Sequence, residues 1–524
     1  MTRNLWGWGH VELAADLDET AARVEPFFGE RPRQTAAPPR VPPPRVELPH
    51  ALASYARADD EVRAAHALGK SYPDRVRGFR GDFATAPDVV AFPSTEAELV
   101  CVLEVAESER LSVTPFGGGS SVVGGVEPRL GPGHRGALSL DLSRLGRVVE
   151  IDDVSRVARI EAGAFGPDLE RQLGAAGLTL RHFPQSFEFS TLGGWIATRA
   201  GGHFATVLTH IDELVESVRL VTPRGVLETR RFPASGAGPD PNRLVIGSEG
   251  TLGVITEAWM RVRPRPVFRA SASVHFEDFT RAVDATRAVA QSGLSPANCR
   301  LLDAQEALVN GVSFDGSAVL VLGFESAEVP QGGQLDAALR LCAGLGGACP
   351  KGPQVRDDAE KARAGDAADA WRASFLKGPY LQDAMIQLGV LADTFETACT
   401  WRVFPALYEA VTAAVRDVLE RLCGGGVVTC RFTHVYPDGP APYFTFLGPV
   451  RPGAELETWA EVKRVASDAL AAHGGTITHH HAVGRVHRPW YDRERPALFA
   501  NALGAVKRTL DPAGVLNPGV LLGP

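Results

Sequence analysis

Three glycine-bearing stretches, in fixed order along the first half of the chain, limit this sequence more than any other feature. The first is Pro115, Phe116, Gly117, Gly118, Gly119, Ser120 and Ser121, running on to Gly124-Gly125. The second runs from Gln185 through Ser186, Phe187, Glu188, Phe189, Ser190 and Thr191, then on to Thr198, Arg199, Ala200, Gly201 and Gly202. The third is Gly247-Ser248 followed by Glu249, Gly250, Thr251, Leu252, Gly253, Val254 and Ile255. Glycines lack a Cβ, so backbone N–H groups can close on a pyrophosphate, and the flanking hydroxyls add donors. Each stretch alone also reads as a turn. No Gly-Lys-Ser/Thr follows the first, which excludes a P-loop, and no G-x-G-x-x-G opens a helix there, which excludes the Rossmann fingerprint.

The segments around them alternate. Val89 to Pro93 reads as a strand, Ser94 or Thr95 as the N-cap of a helix, and Leu111 to Phe116 as the next strand. Residues 32–49 are too proline-dense for a helix and read as an extended strap or a plain linker. From residue 267 strand-like segments (271–276, 318–324, 443–447) alternate with helical ones (282–290, 405–422), as in an α+β unit over one antiparallel sheet. The expected division is 1–86, 87–266, 267–455 and 456–524. At 524 residues several domains are required.

A net charge of −8 argues against a nucleic-acid partner, although Arg261, Arg263 and Arg265 make a local basic patch. No apolar run reaches the length of a membrane span, and no secretory signal is apparent. Seven scattered cysteines without a C-x-x-C pair fit a reducing cytoplasm.

His479, His480 and His481 form the one conspicuous polar cluster. On an extended strand His479 and His481 would point together and His480 away. Two ligands without a partner carboxylate or cysteine pattern make a poor metal site, and no metal is expected. Core or surface histidines are the plain alternative; the preferred reading is proton handling near neutral pH. Tyr443 would need a nearby cation to act as a base, for which the histidines are candidates; otherwise it is a core aromatic.

The order P-F-G-G-G-S-S, S-T-L-G-G, G-S-E-G-T-L-G-V-I-T resembles the vanillyl-alcohol-oxidase and p-cresol-methylhydroxylase (VAO/PCMH) superfamily of FAD enzymes. Within it, Trp6-Gly7-Trp8-Gly9, residues 187–202, RLVTPRGVLE at 219–228, Arg300-Leu301-Leu302-Asp303 and THHHAVGRVHRPW at 478–490 resemble the alkylglycerone-phosphate synthase (alkyl-dihydroxyacetone-phosphate synthase) family over nearly the whole chain. The resemblance implies an α+β protein: a two-lobed FAD-binding domain and a cap domain on an antiparallel sheet, with a C-terminal segment returning to the FAD domain. It implies non-covalent FAD lined by residues 115–121, 185–191, 198–201 and 249–255. Tyr443, Arg300 and His479 to His481 would be catalytic, Arg300 otherwise pairing with Asp303. The implied activity is exchange of an acyl group for a long-chain alkoxy group through a flavin-linked intermediate, on a small-molecule or lipid substrate. A homodimer and a peripheral membrane contact are further expectations. Two positions depart from the family. Gln382 stands where the family has an arginine that grips the substrate phosphate, leaving Lys377 as a substitute, and Gly201 stands where serine is usual. Asn517-Pro518-Gly519 resembles lactate and glycolate oxidases, so an FAD-linked oxidase of an alcohol or 2-hydroxy acid is the alternative. A flavin binder without catalysis is the third reading.

Overall fold

The computed structural model describes residues 2–356 and 378–523. Its first lobe is a four-stranded sheet in the order Ala56–Arg57, Val89–Ala91, Gly136–Asp141, Leu111–Phe116. The last three strands run parallel and the first antiparallel. Helix Glu96–Glu109 covers it, and Thr95 caps that helix by accepting the Glu98 N–H at 3.2 Å. The strands are buried on both faces, as parallel strands under a helix must be. Tight burial fixes where Phe116 ends, and therefore where the first glycine stretch begins.

The second lobe is a five-stranded antiparallel sheet, Val148–Asp152, Val157–Glu161, Val254–Arg261, Val215–Thr222, Gly225–Glu228, packed under helix Leu192–Thr198. Val221 and Val254 also pack with Val113 and Leu140 of the first lobe, so the two lobes share a core.

Seven strands form the third sheet: Gln354–Arg356, Phe268–Phe276, Ala318–Ser326, Asn298–Leu302, Val427–Val435, Pro440–Pro449, Val390–Glu396. Every pairing in it is antiparallel. Helices Phe279–Gln291 and Gly332–Gly344 cover one half, and Phe404–Cys423 with Glu455–Ala472 the other. The expected two lobes and α+β cap are present. No described helix is long and apolar enough to cross a membrane.

Both chain ends are woven into this frame. The proline-dense segment is a tied strap: Gln34 N–H donates to Gln387 O at 2.8 Å, Ala37 N–H to Phe79 O at 2.8 Å and Arg40 N–H to Gly81 O at 2.8 Å. At the other end Val113 N–H donates to Val515 O at 2.7 Å and Asn517 N–H to Val113 O at 2.8 Å, which docks the C-terminus on the first sheet.

Candidate active site

The three glycine stretches meet. A Cβ on Gly117 would overlap the Thr191 hydroxyl, and one on Gly118 the Phe189 carbonyl. Gly250 lies so close to Pro115 that an added Cβ would be 2.9 Å from its Cγ. Glu249 N–H donates to Ala197 O at 2.9 Å. Glu249 sits at φ 50°, a region that costs a side-chain-bearing residue energy and is held only by strong neighbours. Its carboxylate accepts Val483 N–H at 2.9 Å and Gly484 N–H at 2.8 Å, while burial pushes its pKa up to about 7. Asn517 donates its amide to Gly125 O at 3.0 Å and Glu249 O at 2.8 Å. These close approaches fit a dinucleotide cradle: backbone takes the space that side chains would fill.

Not every residue of the stretches offers its side chain. Phe187, Leu252, Val254 and Ile255 are buried in hydrophobic cores or between strands. The Ser190 hydroxyl accepts the Trp195 indole N–H at 2.7 Å, and Thr191 is the N-cap of helix Leu192–Thr198. Arg199 turns to Asp212 at 3.1 Å. Ser120, Gln185, Ser186, Glu188, Thr198 and Ala200 remain half-buried or exposed along the groove.

Strand register builds the catalytic candidates. Tyr443 lies directly across from Arg431 on one side and Glu396 on the other. Its hydroxyl donates to Thr394 Oγ1 at 3.0 Å, and the Arg431 guanidinium lies 4.1 Å from its ring centroid. Burial raises the phenol above its usual pKa, with Arg431 pulling the other way. Arg431 in turn pairs with Glu306 at 2.5 Å.

The histidine triplet departs from expectation: it is a loop wrapped on a carboxylate. Glu396 accepts Thr478 Oγ1 at 2.5 Å and the backbone N–H groups of His479 at 2.5 Å, His480 at 3.2 Å and His481 at 3.0 Å. Three consecutive amides on one acceptor curl the chain, so the strand alternation is lost. His480 and His481 face Tyr443, with ring centroids at 6.0 and 5.5 Å. His479 faces the other way, its Nε2 2.7 Å from the Tyr436 hydroxyl and its ring 4.5 Å from His210. Beside it opens a cavity of about 320 Å³ lined by Arg199, His210, Tyr436 and others.

Burial drives His479, His480 and His481 below the ordinary imidazole value, with Glu396 opposing it. Burial likewise holds His434 well below it. The imidazoles are therefore neutral near pH 7 and do not supply Tyr443 with its cation; Arg431 does. Glu396 is held well below the carboxylate range although burial pushes it up, by the imidazoles wherever acid protonates them and by the Thr478 hydroxyl at any pH.

Ring nitrogens of His434, His479 and His480 come within 4.8 Å of one another, a metal-like grouping unforeseen in the sequence. They are already engaged: His434 with Thr433 Oγ1 and Gly202 O, and His479 Nδ1 with His480 Nδ1 at 3.1 Å. Gly201 fits against this cluster, where a Cβ would be 3.0 Å from His480 Cβ and 3.2 Å from His434 Cε1. The second glycine stretch and the histidines are thus in contact, and both His480 and His434 crowd a side chain at 201.

Arg300 is buried, donates to His203 O at 3.3 Å, and is lowered to about 9 by burial and by Arg431. It does not pair with Asp303, which caps helix Ala304–Val309 and accepts the Cys430 N–H. Gln382 lies on the helical segment 378–387, and Lys377 falls outside the described residues. Glu396, Arg431, His434 and Tyr436 went unread in the sequence. The one local signal was an acid at the end of the strand-like stretch Val390–Glu396.

Residues 87–230 match the family of FAD binding domains, and residues 265–521 the family described as FAD linked oxidases, C-terminal domain. The alkyldihydroxyacetonephosphate synthase of Trypanosoma brucei brucei is 30% identical over 92% of this chain and 82% of its own length. That of Dictyostelium discoideum is 30% identical over 97% and 84%. The chain belongs to the alkyldihydroxyacetonephosphate synthase family. It is an FAD-dependent enzyme of that type. A solved alkyldihydroxyacetonephosphate synthase superposes with a TM-score of 0.82 at 24% identity, over 98% of this chain and 97% of the other, and so shares the VAO/PCMH-type fold.

Proposed function

We propose that this enzyme exchanges the acyl group of an acyl-dihydroxyacetone phosphate for a long-chain alcohol, releasing the fatty acid and leaving an ether. The observation that carries this reading is Tyr443 set between Arg431 and two neutral imidazoles, with Gly201 of the cofactor groove touching the same imidazoles. Residues 115–121, 185–191, 198–201 and 249–255 would hold FAD non-covalently, and the bound flavin would supply electrophilic chemistry next to the substrate.

The chain's own residues handle protons. A neutral imidazole of His480 or His481 accepts the proton removed from the carbon bearing the ester. Tyr443, kept protonated by burial, donates to the departing oxygen and regains its proton from the arriving alcohol, and Arg431 stabilises the negative charge its ring carries in between. Arg300 and Gln382 orient the substrate. Net exchange is redox-neutral: one C–O bond breaks, one forms, and the alcohol's proton leaves with the fatty acid. Residues 87–266 serve as cofactor domain, 267–455 as cap, and 456–524 carry the histidines back to the cofactor. A long-chain substrate has to come from a lipid surface, so the proposal extends to a peripheral membrane contact; a cytoplasmic homodimer is a separate part of the same reading.

Incubation with palmitoyl-dihydroxyacetone phosphate and radiolabelled hexadecanol is expected to yield labelled ether lipid. No labelled product at any alcohol chain length overturns the reading. The neutral Gln382 favours one competitor, oxidation of a phosphate-free alcohol or 2-hydroxy acid. Asn517 does not add to that case, because its amide is used to tie Gly125 to Glu249.

A further inference from the structure

Hydrogen-bond accounting next to the first glycine stretch leaves an excess of buried donors. Lys70 is pinned there: its backbone N–H donates to Ser121 O at 2.6 Å. Its side chain is only 8% exposed, and no hydrogen bond or ion pair engages its ammonium among the described residues. Burial and the neighbouring Arg3 lower that ammonium to about 7, against the pull of Asp383 and Asp74. Arg3 reaches across the same loop, its guanidinium 3.5 Å from Gly118 O.

The nearby acids are committed elsewhere. Asp383 accepts the Trp8 N–H at 2.6 Å and pairs with Arg75 at 3.3 Å. Asp74 closes the capping box of helix Tyr72–Phe79 with Ser71. Three further buried groups around Asp383 have no partner: Trp8 Nε1, Arg75 Nε and the Tyr380 hydroxyl. Each is a donor, and unpaired buried donors are costly, more so when charged. Those three atoms are sealed off, so an added acceptor can reach this surplus only through the Lys70 ammonium and the Arg3 guanidinium beside the loop, and a phosphate has three or four oxygens to offer.

We propose that Lys70, supported by Arg3, is a phosphate-binding residue at the edge of the Gly117–Ser121 loop. The phosphate comes from the substrate or from the cofactor's pyrophosphate; its assignment to the substrate rests on the synthase reading, whereas the site itself does not.

The test uses Lys70→Met and Lys70→Arg, measured by binding rather than turnover. One arm titrates FAD into apoprotein by flavin fluorescence. The other titrates dihydroxyacetone phosphate and inorganic phosphate into FAD-loaded protein by calorimetry. Lys70→Met is expected to weaken one arm by about tenfold or more, and Lys70→Arg to restore most of it. Loss in the second arm alone assigns the substrate phosphate; loss in the first assigns the cofactor. Changes under twofold in both arms overturn the proposal. The wild-type chain gives a readout independent of variant folding: inorganic phosphate should raise the Tm of the FAD-free or the FAD-loaded form, and no rise in either is also contrary. Absence of ether product from the enzyme would sink the synthase reading yet leave these binding results standing.

Discussion

Tyr443 concentrates the chemistry at the scale of single residues. Burial keeps its proton on, and Arg431 over its ring makes that proton transferable. Replacing it with phenylalanine removes one oxygen and little packing. Tyr443→Phe is therefore expected to lower kcat by about 100-fold or more while the FAD dissociation constant stays within about twofold; steady-state rates beside a flavin titration check this. The imidazoles set the pH profile. His479, His480 and His481 are all depressed by burial, so protonation that would abolish a neutral base occurs below the ordinary imidazole value of about 6.5. The raised phenol of Tyr443 loses its proton only above its ordinary value of about 10. The kcat should accordingly hold level from about pH 6.5 to 9 and decline on the acid side only below that. A half-loss centred at the free-imidazole value would contradict neutral, buried histidines.

Elements decide how those residues meet. Tyr443 and the triplet were visible in the sequence by motif. Their partners were not, because Arg431 and Glu396 reach Tyr443 only through cross-strand register, a property of pairing between segments far apart in the chain. The alternation expected for residues 479–481 failed for a related reason. A buried carboxylate on the neighbouring strand end captures three successive N–H groups, and that attraction overrides the extended conformation. Glu396→Gln leaves one carbonyl oxygen and adds an NH₂ that faces donors. It is expected to cut kcat about 10- to 100-fold and to lower Tm by several degrees, read by kinetics and thermal melting. Regular elements, by contrast, were legible: the strand Leu111–Phe116, the Thr95 cap and the helix Phe404–Cys423 follow from local pattern and capping chemistry. The proline-dense strap shows the limit of composition, which gave its extended form but not the three backbone bonds that tie it down.

At the scale of the whole molecule, one groove is assembled from both ends and the middle of the chain. The C-terminal Asn517 joins the first glycine stretch to the third, and Glu249 of the third holds the loop that follows the histidines. Asn517→Ala should raise the FAD dissociation constant about tenfold without abolishing the fold, measured by flavin titration and circular dichroism. Through Glu249 the cofactor cradle and the loop that follows the histidines are held together. The most direct trial is an anaerobic turnover experiment that follows visible flavin absorbance while ether and fatty acid are counted. The account predicts equal amounts of both products and an absorbance that returns to the oxidised spectrum with no electron acceptor present. Permanent bleaching of the flavin, with an oxidised substrate in place of the ether, would contradict it.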